Sequence, residues 1–513
     1  MKRFWLVLLS LGLIVAFSTS AMAVDVKFSG EYYAAGLYLD KTNVNKTQYT
    51  IPAVVTPALW PVPYGGKTLA AARTIGVNNS TAFYFQRLRL GAQFVVSPGL
   101  SLITRADIME RAWGASRSSG TAVSTNPFTG AVTGASGAQD TLSAGTKAEN
   151  ENIAFDLLYV SYASPIGLFN VGYQIDGAWG TVFGDSSQPT PKIAYYLPVG
   201  SFGIGLQMGK NPEGELSNTR IFAADGVDKD NSFYTAFVRY AWKGGDAGLL
   251  GKFVRNATTR NAGAAIGADG FGVKTEQYIL VPYAKAKLGP VALQAEFTWV
   301  QGKAKRWEGT TTATATMLAP YVASGLLPLG QDVDLNSMTG WIDATADFGM
   351  FYAGGTFAFV SGDDEGTQDK MEAGATGGLD WNPCLIMFNS DLNYWAGNIN
   401  GYTTVATKPV TMGAPMNNAY FLQVRAGVRP IEKLDIGLSY SWARAEKSLG
   451  PGFDNRDYGQ EIDLTATYKI TNNLSYMLGG GYWLVGKYYQ GSKPTDNELS
   501  DNYMLINKLT LTF

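Results

Sequence analysis

The chain has 513 residues, only 16% of them charged, with 40 Lys and Arg against 42 Asp and Glu and no histidine. Without Lys2 and Arg3 of the leader described below, 38 basic residues (40 minus 2) face 42 acidic ones, a net charge near −4 that argues against a nucleic-acid binder. The missing histidine removes His-based triads, His metal sites and haem attachment, and the single cysteine, Cys384, allows no internal disulfide. The first 23 residues carry Lys2 and Arg3, the apolar run FWLVLLSLGLIVAF, and a small-x-small end at Ala21 and Ala23. They predict a cleaved secretory signal peptide; no cysteine follows for lipid attachment. Beyond it no run reaches the roughly 18 apolar residues of a membrane helix. The 28 Tyr, 25 Phe, 12 Trp and 60 Gly point instead to an all-β fold, open at this stage to a soluble solenoid or a membrane barrel.

Strand 24–39 opens the mature chain, and turns then punctuate it: SPG (97–99), SPIG (164–167), LPVG (197–200), KGGD (243–246), LGP (288–290), DFGM (347–350), RPIEK (429–433) and TNN (471–473). Each supplies the Pro, Gly or Asn that a tight turn needs. Longer segments fall between them, the longest about 40–79, 114–149, 307–336 and 362–416, with shorter ones near 181–190, 211–230, 256–272, 447–458 and 489–500. Nine long and eight short connections predict about 18 strands. Short turns at one end and long loops at the other are the outer-membrane pattern. A single barrel domain over 24–513 follows.

The strands alternate as a wall between lipid and water should. In 291–300, Leu293, Phe297 and Trp299 alternate with Gln294, Glu296 and Thr298. In 433–442, Leu434, Ile436, Leu438 and Tyr440 alternate with Asp435, Gly437 and Ser439, and in 460–470 Ile462 and Leu464 alternate with Glu461 and Asp463. Lipid cannot satisfy an open sheet edge, so the last strand must pair with the first. That last strand puts Leu505, Leu509, Leu511 and Phe513 on one parity.

With this terminus, KLTLTF, and the strand pattern, the chain resembles a bacterial outer-membrane porin. The strand number and the acidic segment VSGDDEG (360–366) more narrowly resemble the 18-stranded alginate-export-like channels, without making alginate the substrate. The resemblance implies a transmembrane antiparallel up-and-down β-barrel with short periplasmic turns and long extracellular loops. It implies residence in the outer membrane among lipid and lipopolysaccharide, and recognition of Phe513 by the barrel assembly machinery. It leaves open a homotrimer.

If apolar parity faces lipid, the other parity lines a lumen. It carries Arg87, Arg89, Arg105, Asp107, Arg111, Arg239, Glu296, Asp343, Asp347, Arg425, Arg429, Asp435 and Asp463, with Gln93, Asp176, Arg255 and Gln423 beside them. Arg87, Arg89, Arg105 and Arg111 come from one hairpin and form a basic patch, with Arg425 and Arg429 across the pore. These charges either pair to satisfy the wall or bias the permeating ion toward anions. Segment 40–79, with IPAVVTPALWPVPYGG, either plugs the pore or caps it. Segment 380–395 folds over the mouth, contacts a solute or meets a neighbouring protomer.

Passive or weakly selective diffusion of small hydrophilic solutes is the leading function, and no cofactor is implied. An enzyme is disfavoured without histidine; Asp363, Asp364 and Glu365 fit a solvated turn better than a carboxylate site. A sheath for an electron-transfer cytochrome and a substrate-specific export channel are the alternatives.

Overall fold

A computed structural model describes residues 24–46, 49–51, 73–75, 80–114, 122–125, 132–136, 153–211, 228–258, 273–307, 332–364, 366–367, 369–402, 410–448, 455–491 and 498–513. The leader 1–23, Glu365 and most of segments 40–79, 114–149 and 307–336 lie outside them.

The first nine wall strands are β1 (Asp25–Leu39), β2 (Thr81–Ser97), β3 (Leu100–Ala112), β4 (Ile153–Ser164), β5 (Gly167–Asp176), β6 (Gln188–Val199), β7 (Phe202–Lys210), β8 (Asn231–Trp242) and β9 (Gly245–Asn256). The second nine are β10 (Val273–Leu288), β11 (Val291–Trp307), β12 (Val333–Asp347), β13 (Phe351–Val360), β14 (Ala419–Ile431), β15 (Leu434–Ala445), β16 (Asp457–Lys469), β17 (Leu474–Val485) and β18 (Asn502–Thr512). Each pairs antiparallel with its sequence neighbour, and β1 pairs with both β2 and β18, so the 18 strands close into one barrel. A two-residue segment, Lys370–Met371, adds a parallel pairing on β12. The eight tight turns fall where the Pro, Gly and Asn clusters place them; Gly244 (φ 95) and Gly289 (φ 60) adopt left-handed backbone that a side chain would strain.

The outer wall is apolar and exposed: Phe155, Leu158, Val160, Ile193, Leu206, Met208, Leu438, Leu464 and Leu505 all point away from the lumen. A soluble protein does not leave a belt of this extent bare, whereas a bilayer covers it at no cost. Aromatic residues collect near its two rims. Tyr240 packs between Phe202 and Trp242 at the short-turn end, and Tyr84 stacks on Trp113 at the long-loop end. Amphipathic rings favour those interfacial positions.

The core lies inside the barrel, not between layers. Tyr33, Leu37 and Leu39 of β1, Trp341 of β12, Phe421 of β14 and Trp483 of β17 join Trp381, Ile386, Met387, Phe388 and Trp395 in one buried cluster. The long connection between β13 and β14 therefore folds inward and packs on the wall. It includes a short helix, α1 (Ser390–Ala396), capped by Asn389, whose side-chain oxygen accepts the Leu392 N–H at 2.8 Å.

Candidate lumenal site

Two inward segments and a charged wall make up the site. The first segment, 380–396, hangs on Glu461 of β16. Glu461 is fully buried, and its two carboxylate oxygens accept the backbone N–H groups of Ile386 and Met387, each at 2.7 Å. Gln423 of β14 donates to the Pro383 carbonyl at 2.7 Å and to Ser441 Oγ at 3.0 Å. Phe388 meets Phe421 and Tyr458 edge-on, and Trp395 stacks on Phe85 with centroids 4.4 Å apart. Charge-assisted bonds of this kind contribute about 1.5–3 kcal/mol each.

The second segment, 177–187, joins β5 to β6 and hangs on Glu296 of β11. Glu296 Oε2 accepts both the N–H and the hydroxyl of Thr181, at 2.8 and 2.9 Å. Gly184 leaves room for this carboxylate: a Cβ there would sit 2.1 Å from Glu296 Oε1 and push it aside. Trp179 donates its indole N–H to the Val281 carbonyl at 3.0 Å, and Lys285 donates to the Gly180 carbonyl at 2.8 Å.

The two segments meet each other. Asp380 N–H donates to the Asp185 carbonyl at 3.0 Å, Leu379 N–H to Ser186 Oγ at 3.1 Å, and Phe183 packs on Trp341 and Trp381. At this junction burial, aided by the neighbouring Asp380, pushes the Asp185 carboxyl from 3.8 up to about 6. A raised carboxyl binds its proton more tightly in the folded form, so it costs stability as pH rises from about 4 to about 6 and no further above that. Asp185→Asn should accordingly raise the melting temperature by about 1–3 °C near pH 7.5 and leave it unchanged near pH 4. Parallel melts at the two pH values measure the difference, and an equal shift at both would refute it.

The charged wall comes together largely as parity predicts, but its members are paired. Arg89 holds Asp107 through two 2.7 Å bonds. Arg105 grips Asp156, and Arg87 reaches Glu31 and Glu110 at 3.5 Å and Asp107 at 3.9 Å. Arg425 binds Asp343 at 2.8 Å; Arg429 binds Asp347 at 3.0 Å and Asp435 at 2.9 Å; Arg239 binds Asp246 at 3.0 Å. Asp176 takes both Lys192 and Lys252, at 2.9 and 2.7 Å, and Gln93 donates to Ser101.

Two expected positions are corrected. The register between β2 and β3 shifts near Met109, whose φ is 53, so Glu110 and not Arg111 turns toward Arg87. Arg111 falls opposite Gln86, on the other parity. Arg255 falls opposite Ser232, likewise off the lumenal parity, and pairs with Asp228. The basic patch therefore holds Arg87, Arg89 and Arg105 against Glu31, Asp107, Glu110 and Asp156, and its net sign is not positive.

A cavity of about 440 Å³ lies beneath the first segment, bounded among others by Arg87, Arg425, Lys508, Asp463, Tyr33 and Trp395. Arg87 and Arg425, expected to face each other across the pore, do share it. Lys508 of β18 was not singled out from sequence. Its ammonium lies over the Tyr33 ring at 4.6 Å, with the Arg87 guanidinium at 5.0 Å from the same ring, and it has no carboxylate partner among the described residues. Glu461 stood on the lumenal parity in the sequence, yet nothing there distinguished it from other inward acids.

Asp363 and Asp364, from the acidic segment, accept the backbone N–H groups of Glu372 and Gly366, as a turn would require. Of segment 40–79, the described start 40–46 ties to the β13–β14 connection through Val44 N–H to the Asn400 carbonyl and to the β17–β18 connection through Lys46 N–H to the Glu498 carbonyl, each at 2.9 Å. IPAVVTPALWPVPYGG falls almost wholly outside the described residues.

No protein-family model and no curated protein matches the chain. Among solved structures, it is similar to OccK9 (OpdG) of Pseudomonas aeruginosa, at 12% identity over 95% of this chain and 99% of that one, TM-score 0.45. The anion-selective porin of Comamonas acidovorans aligns at 10% identity over 95% and 99%, TM-score 0.38. Outer-membrane-expressed OmpT of Vibrio cholerae aligns at 9% over 96% and 99%, TM-score 0.37. Likenesses this distant carry nothing about solute or selectivity.

Proposed function

We propose that the chain is an outer-membrane channel through which small hydrophilic solutes diffuse passively, narrowed by its own inward segments. The observation that carries this is the closed barrel with a bare apolar exterior and an interior wall of Arg, Lys, Asp and Glu side chains. Such a lumen lowers the cost of moving a polar solute through a low-dielectric layer.

Selectivity is weak on this reading. Each arginine of the expected anion-attracting patch brings its own carboxylate, so little uncompensated field remains to sort ions. In a salt gradient across a planar bilayer, we expect a permeability ratio for chloride over potassium within about threefold of unity. A ratio far from unity in either direction would discard weak selectivity; an absence of conductance would discard the channel.

The sheath reading is less favoured. A partner threaded through the barrel needs an open lumen, and here part of that space is taken by Trp381, Met387 and Phe388, packed on the wall with almost no exposure. An enzyme has less support still, since Asp363 and Asp364 are engaged with backbone. Lipid and lipopolysaccharide around the apolar belt, and the assembly machinery at Phe513, are the partners this function calls for. The apolar exterior is also compatible with a homotrimer.

A further inference from the structure

Cys384 of the inward segment lies against Glu461 and Asp463 on the lumenal face of β16. One ligand atom from each, the thiol sulfur and an oxygen of either carboxylate, lies within 4.8 Å of the other two. All three side chains are buried, with Glu461 0% exposed, Cys384 4% and Asp463 5%. Asp463 Oδ2 accepts the Ser439 hydroxyl at 3.3 Å, but its Oδ1 is buried without a hydrogen-bond donor. A buried acceptor left bare is costly and calls for a partner.

That oxygen is aimed into a recess. Gly481 of β17 faces Asp463 across the ladder, and a Cβ on it would lie 2.7 Å from Asp463 Oδ1 and 3.2 Å from Glu461 Oε1. The two carboxylates thus turn one oxygen each toward a common place to which the glycine adds no side chain. No side-chain cation pairs with either acid among the described residues: of those lining the adjoining cavity, Arg425 is engaged by Asp343, Arg87 faces Glu31 and Glu110, and Lys508 lies over the Tyr33 ring. The carboxylates are also held from behind. Ile386 and Met387 donate to the two Glu461 oxygens at 2.7 Å, leaving each a free lone pair, and Gln423 fixes the Pro383 carbonyl beside Cys384. Outer bonds of this kind orient the ligands of metal sites.

We propose that Cys384, Glu461 and Asp463 form a binding site for one thiophilic divalent cation of the zinc class, tying the inward segment to the wall. The ion supplies the positive charge that the buried acids lack. A sulfur ligand beside two carboxylates selects zinc-like ions over calcium and magnesium, which take oxygen alone. As the sulfur–metal bond forms, the S–H bond breaks and its proton passes to water. Cys384, Ser439 and Asp463 also line the cavity of about 440 Å³, which gives the ion a way in and a water as fourth ligand. Sequence spacing gave no sign of the site, because the cysteine and the two acids lie far apart in the chain.

The full chain, without an affinity tag, would be refolded in detergent with zinc, with cobalt(II) or with a chelator, and then freed of loosely held ion. Elemental analysis should find one retained ion per chain, and the cobalt form should show a thiolate-to-metal charge-transfer band in the near ultraviolet. With no histidine and no other cysteine in the chain, that band belongs to Cys384. Cys384→Ser should abolish it, and Asp463→Asn should weaken zinc binding about a hundredfold or more in competition with a chromogenic chelator. Heat-modifiable gel mobility shows which variants fold. Should Asp463→Asn not fold, Gly481→Ala, which puts a methyl into the recess, takes its place with the same expected loss. Folded wild type that retains no ion overturns the site. So does a cobalt form without the band, zinc held equally well by Cys384→Ser, or displacement of zinc by excess calcium. Conductance plays no part in these readouts, so failure of the channel reading leaves them unchanged.

Discussion

Replacing residues 361–418 by an Asn-Gly turn will raise single-channel conductance about threefold or more while leaving the barrel closed. The geometry invites this substitution, because Val360 at the end of β13 and Ala419 at the start of β14 are register partners across an antiparallel pair. A two-residue turn can join them without moving either strand. What is removed is the segment that fills the lumen over β1 and β13–β18, together with its contacts to segment 177–187 through Phe183, Asp185 and Ser186. What is left bare are Leu37, Leu39, Ala358, Phe421, Ala443 and Ala445, so the shortened barrel will also be less stable. Conductance steps in a planar bilayer, with heat-modifiable gel mobility as the check on folding, decide the matter. An intact barrel with unchanged conductance would show that the inward segment does not restrict the path.

Sequence resolved the wall well and its contents poorly. Turn chemistry and period-2 alternation are local, so Pro, Gly and Asn clusters located all eight hairpins, and parity placed Arg87, Arg89, Arg105, Asp107, Glu296, Asp343, Arg425 and Asp463 on the inner face. Parity fails wherever the ladder gains a residue. One irregularity near Met109 exchanged Glu110 for Arg111, and with it the sign of the patch. Choosing which long segment enters the lumen was harder, since loop composition does not encode direction. A signal was nevertheless present in the wall. The upper part of β1, AAGLYL, is apolar on both parities. A strand apolar on both faces needs cover on both, and the lumenal cover proved to be residues 380–396. That argument alone favours an inward segment over β1. It would not have found Glu461, whose importance comes from two backbone N–H groups brought to it by tertiary packing.

Barrel closure at the C-terminus is the second place where a small change should have a large effect. Phe513 donates its N–H to the Gly30 carbonyl at 3.0 Å and accepts the Gly30 N–H at 2.8 Å, so the final residue completes the seam between β18 and β1. The tip of its ring covers Gly30 on the outer face, so close that a Cβ on Gly30 would fall 2.4 Å from Cζ. Gly30 thus makes the recess that the last aromatic covers. Deleting Phe513 strips two hydrogen bonds from a seam at the edge of the bilayer, where an unpaired backbone group costs more than in water. Gly30→Val keeps those groups but expels the ring. A loss of about 1.4 kcal/mol is already tenfold, and we expect each variant to lower the folded, membrane-inserted fraction by about tenfold or more. Quantifying heat-modifiable protein in outer-membrane fractions, and separately after refolding into lipid vesicles, distinguishes the two roles of the residue. Loss in cells with normal refolding in vesicles assigns Phe513 to recognition by the assembly machinery; equal loss in both assigns it to the seam; wild-type yields in both would mean that it does neither.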